Sequence, residues 1–142
     1  QNFFRVLRYE LRPDSGGPGR MRGGLGAVRS YEFLQDGVHM SVYSDRFLNP
    51  ARGVLGGHNG APAYIHLRRA DGTEKVLGPR GSVYLYKGDF LEVGIGGGAG
   101  YGPPEERDPE LVEADIASGK VTRGRAGADY RTLTKVAAAA TR

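Results

Sequence analysis

The chain has 142 residues, a formal net charge of +4, 24 Gly, 8 Pro and neither Cys nor Trp. That length suits one ordinary domain. The missing cysteine excludes a disulfide scaffold, cysteine-ligated zinc, iron–sulfur clusters and thiol catalysis by these residues. Gly and Pro together fall just short of the roughly 25–30% that marks low complexity. Apolar residues make up 39% of the chain, enough for a modest core.

In chain order, Phe4 to Arg12 sets Leu7, Tyr9 and Leu11 against Arg8, Glu10 and Arg12, the alternation of a half-buried strand. Pro13 to Gly19 breaks regular structure. Leu25 to Leu34 resumes an extended pattern with Val28, Tyr31 and Phe33 as core. Asp36-Gly37 is a hairpin turn signal, with Val38 to Ser44 as the partner strand. A loop runs from Asp45 to Ala63. Tyr64 to Arg69 and Glu74 to Leu77 flank Asp71-Gly72 as a second hairpin, and Ser82 to Tyr86 and Phe90 to Ile95 flank Lys87-Gly88-Asp89 as a third. Asp108-Pro109-Glu110 starts a helix: an Asp cap, Pro in the first turn and an early acid. Leu111, Val112 and Ile116 are its apolar stripe and Gly119 its stop. A second short helix is expected from about Arg125 to Leu133.

The expected fold class is therefore mainly β: sandwich- or barrel-like antiparallel sheets with one or two short C-terminal helices. The expected organisation is a β-rich, glycine-rich domain over 1–104, a short helical segment over 105–134 and a frayed tail over 135–142.

Of the 20 basic residues, 16 are Arg and 4 Lys, and the basic excess lies before residue 105. No block of like charge exceeds two, whereas nucleic-acid binders cluster bases and interleave aromatics. Arginines spread this way suit hydrogen-bonded loops and a partner interface, so no nucleic-acid partner is expected. No apolar run approaches the ~18 residues of a membrane span, and no charged-then-apolar leader opens the chain at Gln1. The expectation is a cytoplasmic protein with no membrane partner.

Glycine is concentrated in three stretches, Ser15 to Gly26, Gly53 to Gly60 and Gly94 to Gly102. Glycine costs entropy on ordering, so each stretch needs a reason: turns, close approach of backbones, or approach to a ligand. Gly94-Ile95-Gly96-Gly97-Gly98-Ala99 fits a dinucleotide fingerprint literally, but Gly100 to Pro104 cannot open the helix that fingerprint needs. Walker A and nucleophile-elbow motifs are missing. His39 and His66 lie in strands, with no second ligand at metal spacing. His58 stands in a glycine-held loop suited to touching a ligand or partner. Glu105, Glu106, Asp108, Glu110, Glu113 and Asp115 read as helix-dipole and solvated-face acids. No complete catalytic set emerges.

The order of motifs resembles the C-terminal part of the hydantoinase B/5-oxoprolinase family. The match runs through Arg8 to Arg20, Arg22 to Gly26, Ser44-Asp45-Arg46, Gly56-Gly57, Gly60-Ala61-Pro62 and Lys87-Gly88-Asp89. It continues through Gly96 to Gly102 and closes with Glu106 to Val112. It covers roughly Arg5 to Tyr130, and it implies a β-rich domain running into packed, glycine-rich extended (polyproline-like) segments. Asn49-Pro50-Ala51-Arg52 departs from the family's proline-rich loop.

The resemblance implies part of a multi-subunit ATP-dependent enzyme that hydrolyses cyclic amides (hydantoin, 5-oxoproline, lactam) or, as in related complexes, carboxylates ketones of the acetone and acetophenone type. It implies a small subunit or split C-terminal portion of a hydantoinase B-like component, not catalytic alone. The implied partners are a larger hydantoinase B-like chain and a hydantoinase A-like chain, in a hetero-oligomer. ATP and Mg are expected on the hydantoinase A-like chain, with another divalent metal elsewhere in the complex as an open alternative. No cofactor or metal is expected on this chain. Arg20, Arg22, Asp45, Arg46, His58 and Asn59 are the candidates for an inter-chain or active-site surface. The alternatives are a stand-alone basic β-rich module for an acidic partner or nucleic acid and, last, an independent small hydrolase.

Overall fold

The computed structural model describes residues 2–130. Seven strands form: β1 (Phe4–Leu11), β2 (Ala27–Phe33), β3 (Val38–Tyr43), β4 (Tyr64–Arg68), β5 (Glu74–Leu77), β6 (Arg80–Leu85) and β7 (Phe90–Gly94). One antiparallel sheet has the order β1-β2-β7-β4-β5, and β3 pairs with β6 in a second. The sheets pack face to face and do not close into a barrel. Phe33, Ile65, Leu67, Leu77 and Leu91 of the large sheet meet Leu85, Val38, Met40, Val42 and Val83 of the small one. Burial of a leucine such as Leu67 or Leu85 contributes about 1.5–3 kcal/mol.

The Asp71-Gly72 hairpin forms as expected. Gly72 takes φ +87°, and the Asp71 carboxylate accepts from the Thr73 N–H at 2.8 Å. The other two expected hairpins do not form. β3 leaves the large sheet instead of pairing with β2, and β6 pairs with β3 instead of β7. The reason is that the two turns bond to each other. Asp36 accepts from the Lys87 N–H at 2.9 Å, and Gly88 N–H donates to Phe33 O at 2.9 Å. Asp89, fully buried, locks this junction by accepting from Arg69 at 2.6 Å and from the Ala70 and Tyr86 N–H groups.

β1 also departs from expectation. All eight of its residues are exposed, not half of them. It is an edge strand paired with β2 alone, and its register shifts between Val6 and Arg8.

The glycine-rich stretches lie side by side as extended segments joined by main-chain hydrogen bonds. Gly17 N–H donates to Gly98 O at 2.8 Å, His58 N–H to Pro18 O at 2.7 Å, and Gly100 N–H to His58 O at 2.9 Å. The glycines are required by this contact. A Cβ on Gly97 would stand 1.7 Å from Ser15 O, and one on Gly57 2.2 Å from Gly100 O. Close approach of extended backbones is the reason for the glycine content.

Two helices close the described chain, α1 (Pro109–Ala117) and α2 (Arg123–Asp129). Asp108 caps α1 by accepting from Glu110 N–H at 2.9 Å, and Thr122 caps α2. Val112, Val121, Ala126 and Tyr130 form their own small core. The part of the second expected helix beyond Tyr130, and the frayed tail expected over 135–142, lie outside the described residues.

Candidate functional site

The Ser44-Asp45-Arg46 run leaves β3 and turns into an exposed loop. Ser44 N–H donates to Pro79 O, and Ala63 N–H to Arg46 O, both at 2.9 Å. These bonds fix the loop to the β5–β6 connection and to the start of β4. They also hold Arg46 at φ +67°. A side chain there costs about 1–2 kcal/mol against glycine, and strain of this kind collects at functional positions. Clefts of about 530 and about 400 Å³ flank the loop and share Ser44, Asp45, Arg46 and Phe47. Arg80 lines the first, and Gly94 to Gly96 line the second. Asp45 and Arg46 form no ion pair among the described residues, while Arg80 stacks over the Tyr43 ring at 5.2 Å. Arg46 and the Asp45 carboxylate line both clefts, with Arg80 in the first and the apolar Met40, Val42, Ile65 and Val93 in the second, an arrangement that suits a strongly polar group met by the guanidinium donors.

The other candidate residues lie apart from these clefts. His58 and Asn59 stand on the middle glycine segment with exposed side chains. The His58 backbone is bonded on both sides, to Pro18 and to Gly100, which ties this rim to its neighbours. The Asn59 side chain caps its own segment, accepting from Gly53 N–H at 3.0 Å. Arg20 stacks on Tyr101 and approaches Glu106 at 3.7 Å, both on the surface. Arg22 faces inward. It is largely buried and bonds Asp115 at 2.9 and 3.3 Å. The six residues therefore occupy three places, with Arg22 serving the interior.

Asp115 corrects an expectation. It is not a solvated-face acid but is buried between Arg22 and Arg107, which reaches it at 2.7 Å. Burial pushes its carboxyl up, but the hydrogen bonds and charges of Arg22 and Arg107 outweigh burial and hold it below its ordinary value. This triad clamps α1 onto the glycine bundle, because Arg107 also donates to Arg20 O at 3.1 Å. A signal was present in the sequence: Asp115 follows Val112 by three positions, on the buried stripe of α1.

The outer face of the large sheet holds a second unforeseen cluster. Glu92 accepts from the Tyr64 hydroxyl at 2.9 Å and the Ser30 hydroxyl at 3.2 Å, with Arg8 at 3.6 Å. Burial, then the bond to Glu92, pushes the Tyr64 phenol up. The Tyr64 ring covers Gly94, where a Cβ would lie 2.1 Å from it, and Arg12 stacks on that ring at 4.8 Å. These contacts brace the sheet where it runs into the glycine bundle.

No group of three or more His, Asp or Glu side chains suited to a metal ion occurs among the described residues. The Gly94 to Ala99 run stays extended and opens no helix, so it lacks the N-terminal amides a dinucleotide pyrophosphate needs. No described helix is long and apolar enough to cross a membrane.

Comparison with known proteins places this geometry. The family model for hydantoinase B/oxoprolinase matches residues 3–104. The chain is 34% identical over 129 residues to the B-type subunit of a putative D-/L-hydantoinase from a Pseudomonas species, covering 89% of this chain and 22% of that one. Its fold matches the ATP-dependent caprolactamase of Pseudomonas jessenii with a TM-score of 0.74 at 29% identity, covering 90% of this chain and 23% of that one. It also matches nucleotide-free acetone carboxylase with a TM-score of 0.75 at 19% identity, over 91% and 21%, a likeness of fold alone. The chain thus spans about a fifth of the length of each of these relatives. With the family model matching residues 3–104, most of its length, this chain belongs to the hydantoinase B/oxoprolinase family.

Proposed function

We propose that this chain is the C-terminal portion, or a split small subunit, of a hydantoinase B-type component in an ATP-dependent enzyme that opens cyclic amides. The observation carrying this reading is the 29% identity and shared fold with an ATP-dependent caprolactamase over 90% of the chain. The hydantoinase relative points to the same substrate class. Ketone carboxylation is the second reading, and it rests on likeness of fold alone.

In this reading ATP and magnesium bind a companion hydantoinase A-type chain that activates the amide. A larger hydantoinase B-type polypeptide surrounds the activated species. This chain contributes a rigid wall, with Asp45, Arg46 and Arg80 at its clefts and Arg20, His58 and Asn59 on the bundle rim. Arg46 suits the recognition of a carboxylate or of a developing oxyanion, since guanidinium donors aimed at forming charge lower the barrier.

The test is to purify the assembly, read its partner masses by native mass spectrometry, and assay ATP hydrolysis with hydantoin, 5-oxoproline and caprolactam, and with acetone plus bicarbonate. Cyclic-amide-dependent ATP hydrolysis is expected. Ketone-dependent hydrolysis would favour carboxylation, and a partner-free monomer would overturn the reading. Arg46→Ala and His58→Ala are expected to lower turnover of the assembly, and unchanged kinetics in an intact assembly would remove both from the site.

A further inference from the structure

β1 has two unlike faces. On one, Arg5 pairs with Glu32 at 3.4 Å and Arg8 with Glu92 at 3.6 Å, so its charges are locally satisfied. The other carries Phe4, Val6, Tyr9 and Leu11, which lie opposite Phe33, Tyr31, Arg29 and Ala27 of β2. Phe33 and Tyr31 belong to the face that meets the small sheet. Phe4, Val6, Tyr9 and Leu11 therefore continue the core-facing surface, yet they are 47%, 53%, 66% and 60% exposed. Phe4 touches Tyr31 edge-on and Phe33 at a tilt, and the Arg29 guanidinium lies over the Tyr9 ring at 4.3 Å, yet all four side chains stay about half exposed or more.

The connections explain the gap. β2 leads into β3, a two-residue link joins β5 to β6, and among the described residues β3 and β6 alone face the five strands of the large sheet. No β1 residue is among those packed in the core between the sheets. Among the described residues β1 also has an outer edge that no strand pairs, with N–H and C=O groups on alternate residues. Arg5, Arg8, Glu10 and the register shift guard this edge in part, but the apolar residues of its other face stay bare, and folded proteins cover such surfaces.

We propose that β1 is a docking strand for the hydantoinase B-type polypeptide outside this chain, which adds a strand to the free edge of β1 and lays apolar side chains over Phe4, Val6, Tyr9 and Leu11. The occupant follows from length. The relatives carry roughly four-fifths of their residues outside the matched part, and this is the longest strand of the large sheet and an unpaired edge of it. Strand addition supplies main-chain bonds for affinity, and alternate side-chain contacts supply specificity. The inference rests on the assembly proposed above.

The experiment compares amide hydrogen exchange in Phe4 to Leu11 between the isolated chain and its complex with the larger polypeptide. Protection confined to alternate amides of β1, gained only in the complex, is expected. Val6→Asp and Tyr9→Asp, both at positions more than half exposed in the isolated chain, are expected to leave its circular dichroism unchanged and to weaken assembly at least about tenfold, the value of one buried apolar side chain. A complex whose β1 amides exchange as fast as in the isolated chain overturns this inference and leaves the functional reading standing. Absence of any complex overturns both. Protection arising from self-association, with none added by the larger polypeptide, assigns the surface to a second copy and overturns the choice of occupant.

Discussion

The sandwich and the glycine bundle are held together by opposite means. In the sandwich, side chains fill the space between sheets, and Leu67, Leu85 and Leu91 are nearly inaccessible. In the bundle there are almost no side chains between segments, and carbonyl oxygens stand where a Cβ would be. A side-chain core tolerates changes of shape at constant volume, because neighbours re-pack. A backbone core has no rotamers with which to adjust. The bundle therefore stands to be the less tolerant of substitution although it buries less apolar surface.

The clamp between the bundle and α1 gives the largest expected effect. Asp115→Asn leaves Arg22 and Arg107 buried without a counter-charge, and a loss of about 3–5 kcal/mol is expected in denaturant melts. The pH dependence has a definite sign. Asp115 is held below its ordinary 3.8, so its stabilisation is full above that value and fades as pH falls through the lower folded value. Acid titration should show a step below about pH 3.8 in the wild type that is missing in the variant.

Adjacent glycines test the backbone-core idea directly. A Cβ on Gly23 would meet Gly98 O at 2.1 Å, whereas one on Gly24 meets nothing within 4 Å. Gly23→Ala should cost about 3 kcal/mol or more. In the sandwich, Leu67→Met should cost less than about 1.5 kcal/mol. Gly24→Ala should stabilise by about 0.4–1 kcal/mol through the unfolded chain. Equal effects at Gly23 and Gly24 would erase the distinction between the two regions.

The smallest effect expected is at the surface ion pair. Arg20→Ala should change stability by less than about 1 kcal/mol, because Arg20 and Glu106 are both about half exposed.

Local chemistry was readable wherever a few neighbouring residues decide the outcome. Asp71-Gly72 made its hairpin and Asp108-Pro109 began its helix. The glycine stretches left turns, close backbone approach and ligand approach open, and the structure shows close approach. Pairing between strands was not. Asp36-Gly37 and Lys87-Gly88-Asp89 each reverse the chain, but turn chemistry does not say which sheet the next strand joins. That was decided by bonds between the two turns. β1 has the alternation of a half-buried strand, yet what would bury it is not among the described residues. Of the candidate site, Asp45 and Arg46 reach clefts, while Arg22 was assigned to a surface and is consumed by Asp115. A motif gives the residues of a site, but their partners come from distant parts of the chain.

The ties within the bundle also set an order of events during folding. Asp14 accepts from Thr122 N–H across 108 positions, and Arg22 meets Asp115 across 93. Such closures cost entropy before they return any contact energy, and chains dominated by them fold slowly. The β4–β5 hairpin can form from its own sequence. The bundle can close only after the residues near Gly98 have been synthesised and the sandwich has brought its ends together. Until then the glycine stretches are unpaired backbone in water, so the segment around Gly98 decides whether the one around Gly17 stays ordered.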